Sequence, residues 1–161
     1  MDTESLKFRG TSSHSMDPKG RIAIPARFKD PIHLAGGRVF VTRFEEALFA
    51  YPPPKWSQIE KKFQESRETA LDMLRLSRHF LGGAVECVSD SQNRILIPQS
   101  LRHYAKLEKD IVLVGLTDYF QIWSRECYEI DTETWMGGEV DEHAKGPKSL
   151  EVRNIIAKLV T

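Results

Sequence analysis

The residues with the clearest chemical potential are two arginines that each follow a sharp corner. The chain reads "DPKGRIAIP" from Asp17 to Pro25 and "DSQNRILIP" from Asp90 to Pro98, seventy-three residues later. A guanidinium can hold a carboxylate or phosphate through two parallel N–H bonds, or the O6 and N7 of guanine in the major groove. Arg21 and Arg94 occupy matching places, and Lys19 adds a second cation to the first corner. A two-stranded ribbon fits that groove, so arginines on such a ribbon point to DNA, with Arg9 and Arg27 expected nearby. The plainer alternative is that Arg21 only pairs with Asp17 across its turn. Retention of arginine at position 94, beside a corner whose other residues differ, favours a functional role. Asp17 and Asp90 could be read as a carboxylate pair, but aspartate at the first position of a turn more economically accepts backbone N–H bonds.

Other chemistries find little support. The five histidines (His14, His33, His79, His103 and His143) have no pair spaced by three or four residues, as a metal site on one helix needs. Cys87 and Cys127 have no metal or redox spacing and read as small apolar residues in a reducing compartment. The glycine pairs starting at Gly36, Gly82 and Gly137 lack the context of a phosphate loop, and no serine sits in a G-x-S-x-G turn. The sequence therefore argues against an enzyme and implies neither metal nor cofactor nor small-molecule substrate.

The corners must be positioned by the elements around them. In "DPKG", proline presets φ at the second position and glycine supplies the left-handed residue, which suits a type I turn closed by a residue at positive φ. Asn93 replaces Gly20 in the second corner, and asparagine is the next residue most able to enter that region. The same backbone turn is expected twice, with Asp17, Gly20, Asp90 and Asn93 forming it. Phe8 to Phe28 aligns with Leu81 to Leu101, "VFVTRF" with "IVLVGL", and "ALFAYP" with "YFQIWS". Each copy reads as strand, turn, strand, short helix, strand, turn, strand. The isoleucines of "RIAI" and "RILI" share one face, and Pro25 and Pro98 end those strands.

The organisation follows. Residues 1–10 form an N-terminal extension leading into the first strand, 11–55 the first copy, 56–83 linking helices, 84–127 the second copy and 128–161 a C-terminal helical segment. The segment "MDTESLK" reads as a disordered tail, "GGEVDEHAKGP" as a loop and "KSLEVRNIIAKLV" as an amphipathic helix.

Charged residues at 29% and hydrophobic ones at 40% are ordinary for a soluble globular protein, and no apolar run reaches the length of a membrane span. A cytoplasmic location is expected. Net charge is zero, yet residues 7–43 hold eight cations against two acids, whereas residues 126–151 hold eight acids against two lysines. Segregation of this kind leaves a positive face for a nucleic acid and an acidic one elsewhere.

The blocks "FRGTSSHSMDPKGRIAIPARF" and "LGGAVECVSDSQNRILIP", with Tyr51, Pro52 and Trp56, resemble the MraZ family over roughly Phe8 to Trp135. These are bacterial proteins built from two SpoVT-AbrB-type domains. The resemblance implies an α+β fold, a tandem-duplicated swapped-hairpin or double-psi-like β-barrel with flanking helices, and a homo-oligomeric ring. It further implies a transcriptional regulator at the nucleoid, binding double-stranded DNA at short direct repeats in the promoter of the division and cell-wall gene cluster. Arg21 would read DNA with Lys19 beside it, and Arg94 is its counterpart. The second corner departs from the family pattern in Gln92 and Asn93, so the first copy is expected to dominate DNA contact. AbrB-like folds also serve as antitoxin-type interaction modules whose main partner is a protein, and the acidic segment from Glu126 to Glu151 would then be the docking surface.

Overall fold

A computed structural model describes residues 6–67, 71–137 and 157–161. The first copy contains β1 (Thr11–Ser15), β2 (Arg21–Ala23), α1 (Ala26–Leu34), β3 (Arg38–Phe44) and β4 (Ala47–Tyr51). Two linking helices follow, α2 (Pro53–Glu65) and α3 (Leu71–Leu76), the latter running into a π-helical turn at Ser77–Leu81. The second copy repeats the order with β5 (Val85–Val88), β6 (Arg94–Leu96), α4 (Gln99–Tyr104), β7 (Asp110–Gly115) and β8 (Phe120–Ser124). Helix α5 (Arg125–Gly137) comes after it, and residues 157–160 are helical. Most of the expected N-terminal tail, acidic loop and C-terminal helix lies outside the described residues.

Pro25, Pro52 and Pro98 each stand directly before a helix, with φ between −58° and −60°, where the missing N–H costs no bond. The helix α1 continues through Pro31 to Leu34. Burial of Phe28, Pro31 and Ile32 on one side offsets the single bond that Pro31 cannot make.

The fold is α+β, with an antiparallel six-stranded sheet in the order β1-β7-β8-β4-β3-β5 and a separate ribbon of β2 and β6. Both edge strands pair outside their own copy: β1 lies on β7 of the second, and β5 lies on β3 of the first. The polar strand "TSSHS" of β1 suits an edge, whereas all five residues of β4 are buried, as its apolar run requires at the centre. The limbs of the first hairpin meet in a single bridge, Met16 to Ile22, and then part to different partners. Among the described residues no ladder joins β1 to β5, so the sheet stays open at those edges.

Alternation along the strands divides the apolar residues between two cores. Val39, Val41, Leu48, Ile111, Leu113, Phe120 and Ile122 face one side of the sheet and meet Ile22, Ile24, Ile95 and Ile97 of the ribbon segments, with Phe8 and Phe28. Phe49, Tyr51 and Trp123 face the other, against Trp56, Ile59, Met73 and Phe80 of the linking segment and Leu159 and Val160 near the C-terminal end. The buried hydroxyls there are satisfied: Thr42 donates to the Phe80 carbonyl at 2.5 Å and Tyr51 to that of Val160 at 2.9 Å.

Ile22 and Ile95 are register partners in the ribbon and both are fully buried. Truncating either to alanine is expected to cost about 2–5 kcal/mol in urea unfolding. The double variant is expected to fall short of the sum, because the two side chains share one space.

Candidate nucleic-acid interface

The two corners are the same structure built from different residues. Gly20 and Asn93 both hold positive φ, at 91° and 56°. In the first corner Gly20 N–H donates to the Asp17 carbonyl at 2.9 Å and Asp17 N–H to that of Arg21 at 3.0 Å; the second repeats both bonds, at 3.0 Å from Asn93 to Asp90 and 2.8 Å from Asp90 to Arg94. Each aspartate side chain binds its corner from within. Asp17 Oδ1 accepts from the Lys19 and Arg21 backbone N–H groups at 3.0 and 2.8 Å, and Oδ2 accepts from Arg21 Nε at 2.6 Å. Asp90 takes the corresponding three bonds from Gln92, Arg94 and Arg94 Nε, each at 2.9 Å.

The plain pairing of Arg21 with Asp17 is therefore real, but it engages only one edge of the guanidinium. Nη1 and Nη2 of Arg21 and Arg94 have no hydrogen-bond partner among the described residues. Both side chains stay open to solvent, at 33% and 28% of full exposure. The pair thus serves to aim each arginine.

Pairing across copies then brings the two arginines together. The strands β2 and β6 run antiparallel with Arg21 opposite Leu96 and Ala23 opposite Arg94. Side chains alternate along a strand, so Arg21, Ala23, Arg94 and Leu96 share the outer face while Ile22 and Ile95 fill the core. Beyond the ribbon, Ile24 N–H donates to the Asn93 carbonyl at 2.8 Å, and Ile97 N–H to that of Gly20 at 2.9 Å. Each copy thereby ties down the left-handed residue of the other.

An open groove of about 750 Å³ lies at this face, lined by Arg21, Arg94, Arg102 and Lys109 together with Asp17 and Glu108. Lys19 is exposed at the first tip. Arg9 and Arg27 belong to a different cluster: Arg27 Nε donates to the Arg9 carbonyl at 2.7 Å and its Nη2 to that of Gly10 at 3.3 Å, at the end of β1 away from the corner. Neither lines the groove. Arg102 and Lys109 were not singled out by the sequence patterns. The repeat held a signal for one of them, since Arg102 falls seventy-three residues after Lys29, a cation in both helices.

Arg102 and the first corner are also in close contact. A Cβ placed on Gly20 would come within 2.6 Å of Arg102 Nε, which itself donates to the Ile97 carbonyl at 3.0 Å. A side chain at position 20 would have to displace that guanidinium as well as accept positive φ.

Both corner aspartates are held below the ordinary carboxylate value. The backbone N–H of the following arginine is the largest cause in each case, with the other corner donors and the guanidinium adding to it against some desolvation. Folding therefore favours the charged form. The stabilisation is complete above the ordinary aspartate value and is lost as pH falls through the lowered folded one. The stability gap between the wild type and Asp17→Asn is expected to hold steady down to about pH 5 and to close below about pH 4. Urea midpoints across pH would check it, and a gap that widens in acid would contradict this role.

Among the described residues no helix is long and apolar enough to cross a membrane. A family model described as "MraZ protein, putative antitoxin-like" matches residues 7–77 and 80–136, one stretch for each copy. A protein of Desulforapulum autotrophicum named "Transcriptional regulator MraZ" is 46% identical over 153 residues, 94% of this chain and 98% of the relative. Proteins of the same name from Desulfosudis oleivorans and Pelotomaculum thermopropionicum are 50% and 39% identical, covering 76% and 95% of this chain and 83% and 95% of their own. With both copies matched and relatives aligned over 83% to 98% of their own length, this chain belongs to the MraZ family.

Proposed function

We propose that this protein is a sequence-specific, DNA-binding transcriptional regulator that acts at the nucleoid on short direct repeats in the promoter of the division and cell-wall gene cluster. One observation carries the reading: two guanidiniums, each aimed by its own aspartate, share the outer face of a two-stranded ribbon. Arg21 and Arg94 are the readers in this proposal, and Lys19 holds a phosphate at the first tip. We read residues 11–55 and 84–127 as two SpoVT-AbrB-type domains; their exchanged edge strands and shared ribbon support a swapped-hairpin, double-psi-like arrangement, with the sheet open between β1 and β5. The naming of the relatives as transcriptional regulators supports the regulatory role.

Magnitudes argue for a ring. A good bidentate base contact is worth ~1–3 kcal/mol of discrimination. One ribbon makes too few of these for operator binding by a single subunit. Several ribbons on several repeats gain about 100- to 10,000-fold through effective concentration when the spacings match. The second copy contributes less because its tip carries Gln92 where the first has Lys19.

A second reading, the antitoxin-type module with a protein partner, draws on α5. That helix lies in the acidic segment and leaves Trp135 and Met136 more than four-fifths exposed. Capture of a partner in the absence of DNA, lost on truncation of that segment, would favour it.

Fluorescence anisotropy on repeat-bearing promoter DNA tests the first reading. Arg21→Ala is expected to weaken binding by about 5- to 150-fold, and Arg94→Ala by less. Removing one DNA repeat is expected to cost more than either substitution, and affinity should fall steeply with salt. Unchanged affinity in folded, assembled Arg21→Ala would defeat the proposal.

A further inference from the structure

Resting on the DNA-binding reading, we propose that Arg102 and Lys109 form a phosphate-binding site beside the ribbon, contacting the DNA backbone that flanks the bases read by Arg21 and Arg94. Both residues line the groove that holds those arginines. Each is fixed at its base by an element outside the ribbon. Arg102 lies on α4, with Nε committed to the Ile97 carbonyl at 3.0 Å, and its guanidinium lies close against Gly20. Its Nη atoms have no hydrogen-bond partner among the described residues. The Lys109 carbonyl accepts from Met16 N–H at 2.8 Å, which pins this residue beside the start of the first corner while its side chain stays exposed.

The position off the ribbon decides between base and phosphate. A ribbon seated in the major groove puts its outer face against the base edges, and the elements beside it come to lie over the sugar–phosphate backbone. Arg102 and Lys109 are such flanking groups, one a fork with a committed edge and the other a point charge. Glu108 lines the same groove, but neither cation forms an ion pair with it among the described residues. Four cations against Asp17 and Glu108 leave the groove positive within a chain of zero net charge.

The test is the salt dependence of binding to promoter duplex for Arg102→Gln, Arg102→Lys and Lys109→Gln, with Arg21→Ala as reference. Each lost phosphate contact lowers the slope of log K against log salt by about 0.9, and affinity at 0.15 M salt by about fivefold, for each engaged subunit. Both glutamine variants are expected to show that loss with base preference unchanged, and Arg102→Lys to restore the slope. If Arg102→Gln fails to fold, the exposed Lys109→Gln decides alone. Slopes equal to wild type in the folded glutamine variants overturn the site while Arg21→Ala still weakens binding. Should Arg21→Ala bind normally, the DNA-binding reading itself fails, whatever the slopes.

Discussion

The structure depends on a constraint at its two corners: among the described residues the carbonyl of each left-handed residue finds no donor in its own hairpin, and each copy hands that carbonyl to the other. Ile97 claims the Gly20 oxygen and Ile24 claims the Asn93 oxygen. A buried backbone acceptor left without a donor is costly, so the two corners and the ribbon between them form as one unit. The exchanged edges work in the same direction. With β1 on β7 and β5 on β3, a copy taken alone would leave unpaired strands and half a core. Duplication has produced one body in which each half completes the edges of the other.

The same arrangement resolves how an arginine can be both paired and available. An exposed ion pair contributes little net stability, because both charges are well solvated without it. Holding one through Nε costs little, therefore, and fixes where the other nitrogens point. The aspartate is itself fixed by two backbone donors, so the chain of constraint runs from turn dihedrals to carboxylate to guanidinium. Preorganisation of this kind spares a binding surface the entropy of ordering a long side chain.

Much of this was legible in the residues. The D-x-x-(G/N)-R corner states its dihedrals and its internal acceptor, and alternation of isoleucine assigns the buried face of each short strand. Which strand pairs with which was not legible. The two copies have similar patterns, so a partner from either copy satisfies the local alternation, and only the shared core selects the exchange. Arg9 and Arg27 were drawn toward the corner by their charge, but the carbonyls of Arg9 and Gly10 hold Arg27 at the far end of β1. Arg102 was missed for the opposite reason, being remote in sequence and adjacent only once α4 packs. The run of helix through Pro31 shows burial overriding a local propensity that would have ended it.

The small differences between the copies now acquire a physical sense. At the first corner glycine leaves room, and the guanidinium of Arg102 takes it. At the second, asparagine brings a side chain of its own, and the matching helix position holds Lys29, exposed on α1. A left-handed asparagine solves the backbone problem as well as glycine does, so turn chemistry alone gives no reason for the choice. Close approach of an arginine from the partner copy does give one. The first corner has glycine because it must be thin as well as sharp, and the cation stacked against it, together with Lys19 at its tip, makes the two halves of a symmetric ribbon electrostatically unequal.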